Sequence, residues 1–269
     1  MNKIAVIMSV YNGDNIIFLR ESLESIYSQS FTDFDIFIQC DGSLTDDLNS
    51  FLKKEVSLEK IKYINFREKN LGLAASLNDL LREVLQRGYE FIARMDSDDI
   101  CHESRFLKQY EYLLENYCID VVGSNIIEFH DDGSTNEKMY PIDHDLIKKR
   151  FAYKTAIPHV TAMFRKSFFD KSGFYNEDSN RNEDQWLWLA GFLNKCQFAS
   201  ISEPLVNVRL SNNLLLRRSD FKHNFDTFKL RNKIVDDLKF SKVLLIYNLL
   251  IMGIKSMPTP LLRVIYKLR

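Results

Sequence analysis

At 269 residues, with 45% hydrophobic and 13% aromatic side chains, the chain can bury a substantial core and reads as an ordered globular protein. Its formal net charge is −1, so no global basic field recommends nucleic acid as a partner. Cys40, Cys101, Cys118 and Cys196 are widely spaced with no C-x-x-C pair. Reduced thiols in a cytosolic protein are the economical reading, and a structural zinc site is disfavoured.

In chain order, Ile4–Val10 reads as a core strand, and the amino terminus turns polar too soon for a signal peptide. Phe18–Ser28 reads as an amphipathic helix and Phe34–Cys40 as a second strand, followed by the turn Asp41-Gly-Ser43. Thr45–Lys54 is predicted helical with Thr45 or Ser43 as its cap, then Ile61–Phe66 strand, then Leu73–Arg87 helix closed by Gly88. Phe91–Met95 is the next strand, Ser104–Asn116 a helix and Asp120–Ser124 a strand. This alternation predicts an α/β protein with a mostly parallel sheet and helices on both faces. Ligands in such sheets bind beyond the carboxyl ends of the strands, so Tyr11, Asp41 and Asp96–Asp99 should share one crevice. After about residue 125 the alternation weakens. Asp131–Ser134 reads as a turn within a hairpin, Asp145–Ala152 as a short helix, Thr161–Phe164 as a short strand and Glu183–Leu193 as a strong helix. This part is expected to complete the site rather than to form a separate module.

The most informative segment is Phe91-Ile-Ala-Arg-Met-Asp-Ser-Asp-Asp99, an apolar run that ends in three carboxylates within four residues. Such crowding is unfavourable unless water, a helix end or a cation compensates it. Asp96 and Asp98 leave the same face of an extended segment and can converge on one ion, and hard oxygen ligands suit Mg2+ or Mn2+. Taken alone, the cluster also fits an Asp-rich turn that caps the following helix. Asp41 can accept from a base imide or a ribose hydroxyl, or be a solvated turn residue. Tyr11 can stack on a heterocycle or join the core. Asn70-x-Gly72 fits either phosphate approach or ordinary cap chemistry. Glu183-Asp184 opens an apolar helix, where the macrodipole favours anions; the functional reading makes Asp184 a general base walled by aromatic side chains.

Together, Ser9-Val-Tyr-Asn-Gly13, Asp41-Gly-Ser43, Asn70-x-Gly72 with Asn78, Arg94-Met-Asp-Ser-Asp-Asp99, Met163-Phe-Arg165, Gly173-x-Tyr175 and Glu183-Asp184 form an ordered set over roughly residues 3 to 210. In this set the chain resembles the inverting, nucleotide-sugar-dependent glycosyltransferases of family 2, with the GT-A fold. The resemblance implies a catalytic domain over 1–210, with a nucleotide-binding half to about 125 and an acceptor-side half from about 126, and a helical extension over 211–269. By the same resemblance Tyr11 and Asp41 would recognise uracil, with Val10, Asn70, Arg94 and Ser97 also on the nucleotide sugar. Asp96 would contact ribose, diphosphate or the cation, Asp98 would ligate the cation, and Asp184 would be the catalytic base. Glu183, His159 and Trp186 are candidate acceptor contacts. Where many members carry Arg-x-His, this chain has Arg209-Leu-Ser211, so Arg209 is a candidate diphosphate contact and no histidine joins the metal.

After Asp237 there is no acidic residue, while Lys239, Lys242, Lys255, Arg263, Lys267 and Arg269 are cationic around the apolar runs Val243–Ile254 and Leu261–Tyr266. This composition fits either a segment lying on an anionic membrane surface or a helix packed on the body. No stretch reaches the roughly 18 to 20 apolar residues that would span a bilayer. The resemblance extends to bacterial enzymes that build O-antigen or capsule units on a polyprenyl diphosphate carrier. It therefore implies a UDP-sugar donor, a hexose of glucose or galactose type, and a lipid-linked saccharide acceptor at the cytoplasmic face of the inner membrane. Two rival readings are a sugar nucleotidyltransferase and a non-catalytic carbohydrate-binding protein. The former usually opens with a Gly-rich basic loop, whereas Tyr11-Asn-Gly13 offers one glycine and no Lys or Arg before Arg20.

Overall fold

The computed structural model describes residues 3–130, 132–210 and 221–255. Strands β1 (Ile4–Tyr11), β2 (Phe34–Asp41), β3 (Tyr63–Phe66) and β4 (Phe91–Arg94) run parallel in the order β3-β2-β1-β4. Helices α1 (Ile16–Tyr27), α2 (Asp46–Ser57) and α3 (Leu73–Gln86) connect them. Strand side chains alternate between two apolar layers, which explains a continuous hydrophobic run in β1. Ala5, Ile7 and Phe37 join Leu77, Leu81 and Val84 of α3 on one face. Val6, Met8, Ile36 and Ile38 join Leu19 and Leu23 of α1 and Leu48 and Leu52 of α2 on the other. The helix ends follow the predicted chemistry: Thr45 Oγ1 accepts from Leu48 N at 3.4 Å, and Gly88 follows α3 at φ +82°.

Beyond β4 the sheet becomes mixed. β8 (Met163–Arg165) inserts antiparallel between β4 and β6 (Val121–Phe129), although it comes later in the chain than either. β6 also pairs parallel with β9 (Phe198–Arg209), and β9 pairs antiparallel with β5 (Ile100–Cys101). The predicted hairpin is present, with β6 pairing antiparallel to β7 (Thr135–Lys138); of its turn, Asp131 lies outside the described residues. Around this part lie α4 (Arg105–Glu115), α5 (His144–Phe151), α6 (Lys166–Ser172) and α7 (Glu183–Leu193). β6 continues through residue 125, with a register shift against β9 at that point, so the sheet is unbroken where the sequence alternation fades.

The twelve-residue β9 is the element that pattern reading misses. Ser202-Glu203-Pro204 interrupts its apolar run, and a proline inside a strand normally argues against one. The structure accommodates it at a register shift, where Pro204 lies opposite Asn125 and Asn125 Nδ2 donates to Ser202 O at 2.6 Å. β5 and α6, of two and seven residues, are too short to leave a periodic signal.

Helices α8 (Phe221–Asp237) and α9 (Val243–Lys255) close the described chain. Arg231 of α8 donates through Nη1 to Phe151 O at 3.2 Å and Lys154 O at 2.9 Å, tying the helix to the loop after α5. α9 packs on α8, with Asn248 Nδ2 donating to Asn232 Oδ1 at 3.1 Å. Its other face holds Val243, Ile246 and Leu250, which are 71%, 62% and 61% exposed. The helix thus packs on α8 and shows apolar residues outward. Among the described residues no helix is long and apolar enough to cross a membrane. Ser211 and the run Leu261–Tyr266 lie outside the described residues.

Candidate active site

β4 ends at Arg94, and the chain turns at once into Asp96-Ser-Asp-Asp99. Arg94 is buried and grips both carboxylate oxygens of Asp96 with its two terminal nitrogens. Ser22 Oγ of α1 donates to Asp96 O at 2.8 Å. From the end of β9, Arg209 N donates to Asp99 Oδ1 at 2.8 Å and Arg209 Nε to Asp98 O at 3.1 Å. Beneath the turn, the fully buried Arg105 donates to Arg94 O at 2.8 Å and to Gln109 Oε1 at 3.0 Å. Carboxylate oxygens of Asp96, Asp98 and Asp99 lie within 4.8 Å of one another.

This crowding shifts the acids. Burial, followed by the charges of Asp96 and Asp98, holds the Asp99 carboxyl well above the ordinary range. Asp98, although at the mouth of the turn, is raised by partial desolvation and then by Asp96, with Arg94 opposing. Asp14, which the motifs did not single out, is pushed up to about 6 by burial, with Asp98 and Asp96 adding to the effect. Hydrogen bonds from Tyr11 N and Ser97 oppose it. Three clustered hard-oxygen donors that repel one another fit a divalent cation of Mg2+ or Mn2+ type. Asp98 is the exposed member and Asp99 the buried one.

The neighbouring strand ends supply the other wall. Tyr11 is 37% exposed, and its ring lies over Gly13, where an added Cβ would fall 2.5 Å from it. Val10 is fully buried and offers its backbone alone. The Asp41 carboxylate is also buried: Oδ1 accepts from Arg67 Nη2 at 2.5 Å and Leu71 N at 2.8 Å, and Oδ2 from Gly72 N at 2.8 Å. It therefore ties the Asn70–Gly72 loop to the end of β2, a role the Asp-Gly turn did not suggest. Asn70 Nδ2 donates to Asp41 O at 3.1 Å, close over Gly42, whose φ is +88°. Arg67 holds Asp79 and Ser76 as well, at 2.9 and 2.7 Å. Removing one partner of a buried ion pair leaves an uncompensated charge, so Arg67→Met should cost about 3 kcal/mol in urea unfolding. An unchanged midpoint would refute this assignment.

The second acid pair opens α7. Asp184 accepts from Gln185 twice, at Oδ1 from the backbone N (2.7 Å) and at Oδ2 from Nε2 (2.8 Å). The same Nε2 reaches Thr155 Oγ1 at 2.9 Å. Gln185 is buried, and its Oε1 has no partner. Burial raises the Glu183 carboxyl, with Asp184 and Asp96 adding and Arg94 opposing. Glu183 thus feels the Arg94–Asp96 pair, which brings the two acidic patches to one region although they are far apart in sequence. Between them Tyr175 is buried, its hydroxyl raised by burial and touched by the fields of Arg94, Glu183, Asp184 and Asp96. Tyr175 hydroxyl and His159 Nε2 are 2.8 Å apart, and burial together with Arg94 holds the His159 imidazole well below its usual range. His159 therefore belongs to the floor beneath the acids.

The remaining candidates differ in placement. Arg209 forms an ion pair with Glu21 and stacks on Phe18 and Phe129 at 3.9 and 4.6 Å, so its guanidinium braces the acidic turn from the protein side. Trp186 is half-buried at the edge of the core, while Trp188 is fully buried among Phe164, Phe168 and Phe198. Arg231 is lowered to about 10 by burial, with the charge of Asp184 opposing. Asp14, Arg67, Gln185 and Arg231 are residues that motif reading did not find. A cavity of about 430 Å3 lies elsewhere, beside Phe34–Ile36 at the opposite end of β2.

The sequence profile of Glycosyl transferase family 2 matches residues 5–173. The O-antigen biosynthesis glycosyltransferase WbnJ of Escherichia coli is 32% identical over 79% of this chain and 81% of its own. An Escherichia coli UDP-Gal:alpha-D-GlcNAc-diphosphoundecaprenol beta-1,3-galactosyltransferase is 29% identical over 84% and 81%. Among solved structures, S. aureus TarS 1-349 in complex with UDP-GlcNAc superposes with a TM-score of 0.66 at 18% identity, over 91% of this chain and 69% of that one. The mannosyltransferase PcManGT of Pyrobaculum calidifontis, in complex with GDP-Man and Mn2+, gives 0.62 at 12% identity over 98% and 79%. With strand order, acidic turn and profile in agreement, the chain belongs to glycosyl transferase family 2 and has the GT-A fold.

Proposed function

We propose that the protein transfers a hexose, glucose or galactose, from a UDP-sugar to a lipid-linked saccharide with inversion at the anomeric carbon, in the building of a surface polysaccharide. The observation that best supports this reading is the proximity of the acidic turn to the acid pair, close enough for the charges of Arg94 and Asp96 to act on the Glu183 carboxyl. The galactosyltransferase relative named for a diphosphoundecaprenol substrate supports the acceptor class. On this reading residues 1–125 form the nucleotide half, residues 126–210 the acceptor half, and residues from 211 the extension.

The roles follow from the chemistry. Tyr11 stacks on uracil, with the backbone of Val10 and the loop fixed by Asp41 and Asn70 framing the base and ribose. Arg94 orients Asp96 toward the donor, and Ser97 keeps the turn in place. Asp98 and Asp96 would hold a Mn2+ or Mg2+ ion, which when bound offsets the charge of the leaving diphosphate. Asp184 takes the proton from the acceptor hydroxyl as that oxygen attacks the anomeric carbon opposite UDP. The bond to the UDP oxygen breaks, and a single displacement inverts the centre. Gln185 keeps the carboxylate of Asp184 in one orientation.

Incubation with Mn2+ and a panel of UDP-sugars, with UDP release as readout, should give turnover on one hexose donor. Release of pyrophosphate from UTP instead would decide for a nucleotidyltransferase. The outward apolar face of α9 supports docking on an anionic membrane, with Lys239 and Lys242 beside it. Leu250→Asp should lower co-sedimentation with phosphatidylglycerol vesicles at least fivefold. Equal pelleting of variant and parent would remove α9 from that role.

A further inference from the structure

A second cavity, of about 240 Å3, opens between the loop before α7 and the side of α8. Its walls include Asp178, Asn180, Trp186, Asp226, Lys229 and Lys233. One half-buried indole rimmed by carboxylates, an amide and ammonium groups is the composition that receives a sugar ring. The C–H face of the ring packs on the aromatic plane, and its hydroxyls meet the polar rim. The volume fits a single ring better than a larger ligand.

The loop is built at a cost. Asn180 and Arg181 are consecutive non-glycine residues in the left-handed region, at φ +48° and +63°. Such conformations persist only where surrounding structure imposes them, and they cluster at ligand sites. Here α8 imposes them: Asn180 Nδ2 donates to Asp226 Oδ2 at 2.6 Å, His223 Nδ1 bonds Asn180 O at 3.0 Å, and Thr227 Oγ1 donates to Asn182 Oδ1 at 3.0 Å. Asn182 then leads directly into Glu183 and Asp184, so one strained segment both lines the cavity and sets the acid pair.

We propose that this cavity is a saccharide subsite for the acceptor, holding a ring at least one removed from the hydroxyl that is attacked; this rests on the transferase reading above. Two residues along a helix differ by about 200° in direction, so Trp186 and Asp184 flank opposite sides of the first turn of α7. A single ring cannot touch both. An acceptor of two or more rings can wrap the turn, placing one hydroxyl at Asp184 and a neighbouring ring on Trp186. Lys229 lies 4.4 Å from the Phe225 ring, and Lys233 pairs with Asp237 at 2.8 Å. An ammonium group has three donors, so each retains capacity for a sugar hydroxyl.

Saturation-transfer NMR with a panel of glucose-, galactose- and N-acetylglucosamine-containing disaccharides tests the subsite without turnover. The wild-type protein should bind at least one of them, and Trp186→Ala should weaken that binding at least tenfold. Should that variant fail to fold, Lys229→Ala/Lys233→Ala carries the test on the exposed rim, with a threefold or larger loss expected. Absence of binding to the wild type, or binding that the folded variants leave unchanged, overturns the subsite. Saccharide binding that follows these variants in a protein that turns over no UDP-sugar would sink the transferase reading and leave the subsite standing.

Discussion

Replacing Asp184 by Asn should lower hexose transfer about 10^3-fold while UDP-sugar affinity stays within a few fold, the span that a lost general base produces. The asymmetry follows from placement. Asp184 is bonded to Gln185 and makes no bond to the acidic turn among the described residues, so its removal deletes proton acceptance without disturbing the turn around Asp98. The fold should tolerate the change, because the unpartnered Gln185 Oε1 is available to accept from the new amide if the glutamine side chain rotates. Calorimetry with UDP-sugar, set beside initial rates, separates the two quantities. Parallel loss of affinity and rate would contradict the assignment.

Asp98→Ala should weaken Mn2+-dependent UDP binding about 10^2-fold, the scale on which metal sites respond to a lost partner. Without metal the sign reverses. Burial and Asp96 raise the Asp98 carboxyl, so its ionised form opposes folding above that raised value, and alanine relieves the repulsion. In chelator the variant should therefore melt no lower than the parent. Added Mn2+ should stabilise only the parent, as a ligand that binds the folded state does. A variant that melts lower in chelator, or that gains equally from Mn2+, would refute the assigned role.

The first half of the sheet was legible because β1, β2 and β4 are largely buried and α1 and α2 open on side-chain caps at Asn15 and Thr45. Ile4–Tyr11 and Phe34–Asp41 reveal themselves as apolar runs, and Gly88 marks a helix end. The acidic turn was legible because charge placed directly after a buried strand has few structural explanations. Burial of the partners was not. Arg67 sits in Phe66-Arg-Glu-Lys-Asn70, a polar stretch that reads as a surface turn, yet it anchors Asp41. Asp14 and Gln185 are single polar residues: the surroundings of the first include Asp96, Ser97 and Asp98, 82 to 84 positions away, and the second bonds Thr155, 30 positions earlier. β9 was hidden by Pro204, which the ladder tolerates only through its register shift. Arg209 pairs with Glu21 and bonds the acidic turn, a bracing role that its place at the end of β9 in the sequence does not announce.

The insertion of β8 between β4 and β6 bears on how the chain comes off the ribosome. Residues 163–165 zip against strands made up to 74 positions earlier, and β9, which flanks β6 and clamps the acidic turn, follows later still. Until that stretch emerges, β4 presents an unpaired border of backbone donors and acceptors, an invitation to intermolecular pairing. Nascent chains halted near residue 125 would be sticky intermediates rather than small folded proteins, and assembly of the catalytic floor is a late, non-local event in biogenesis.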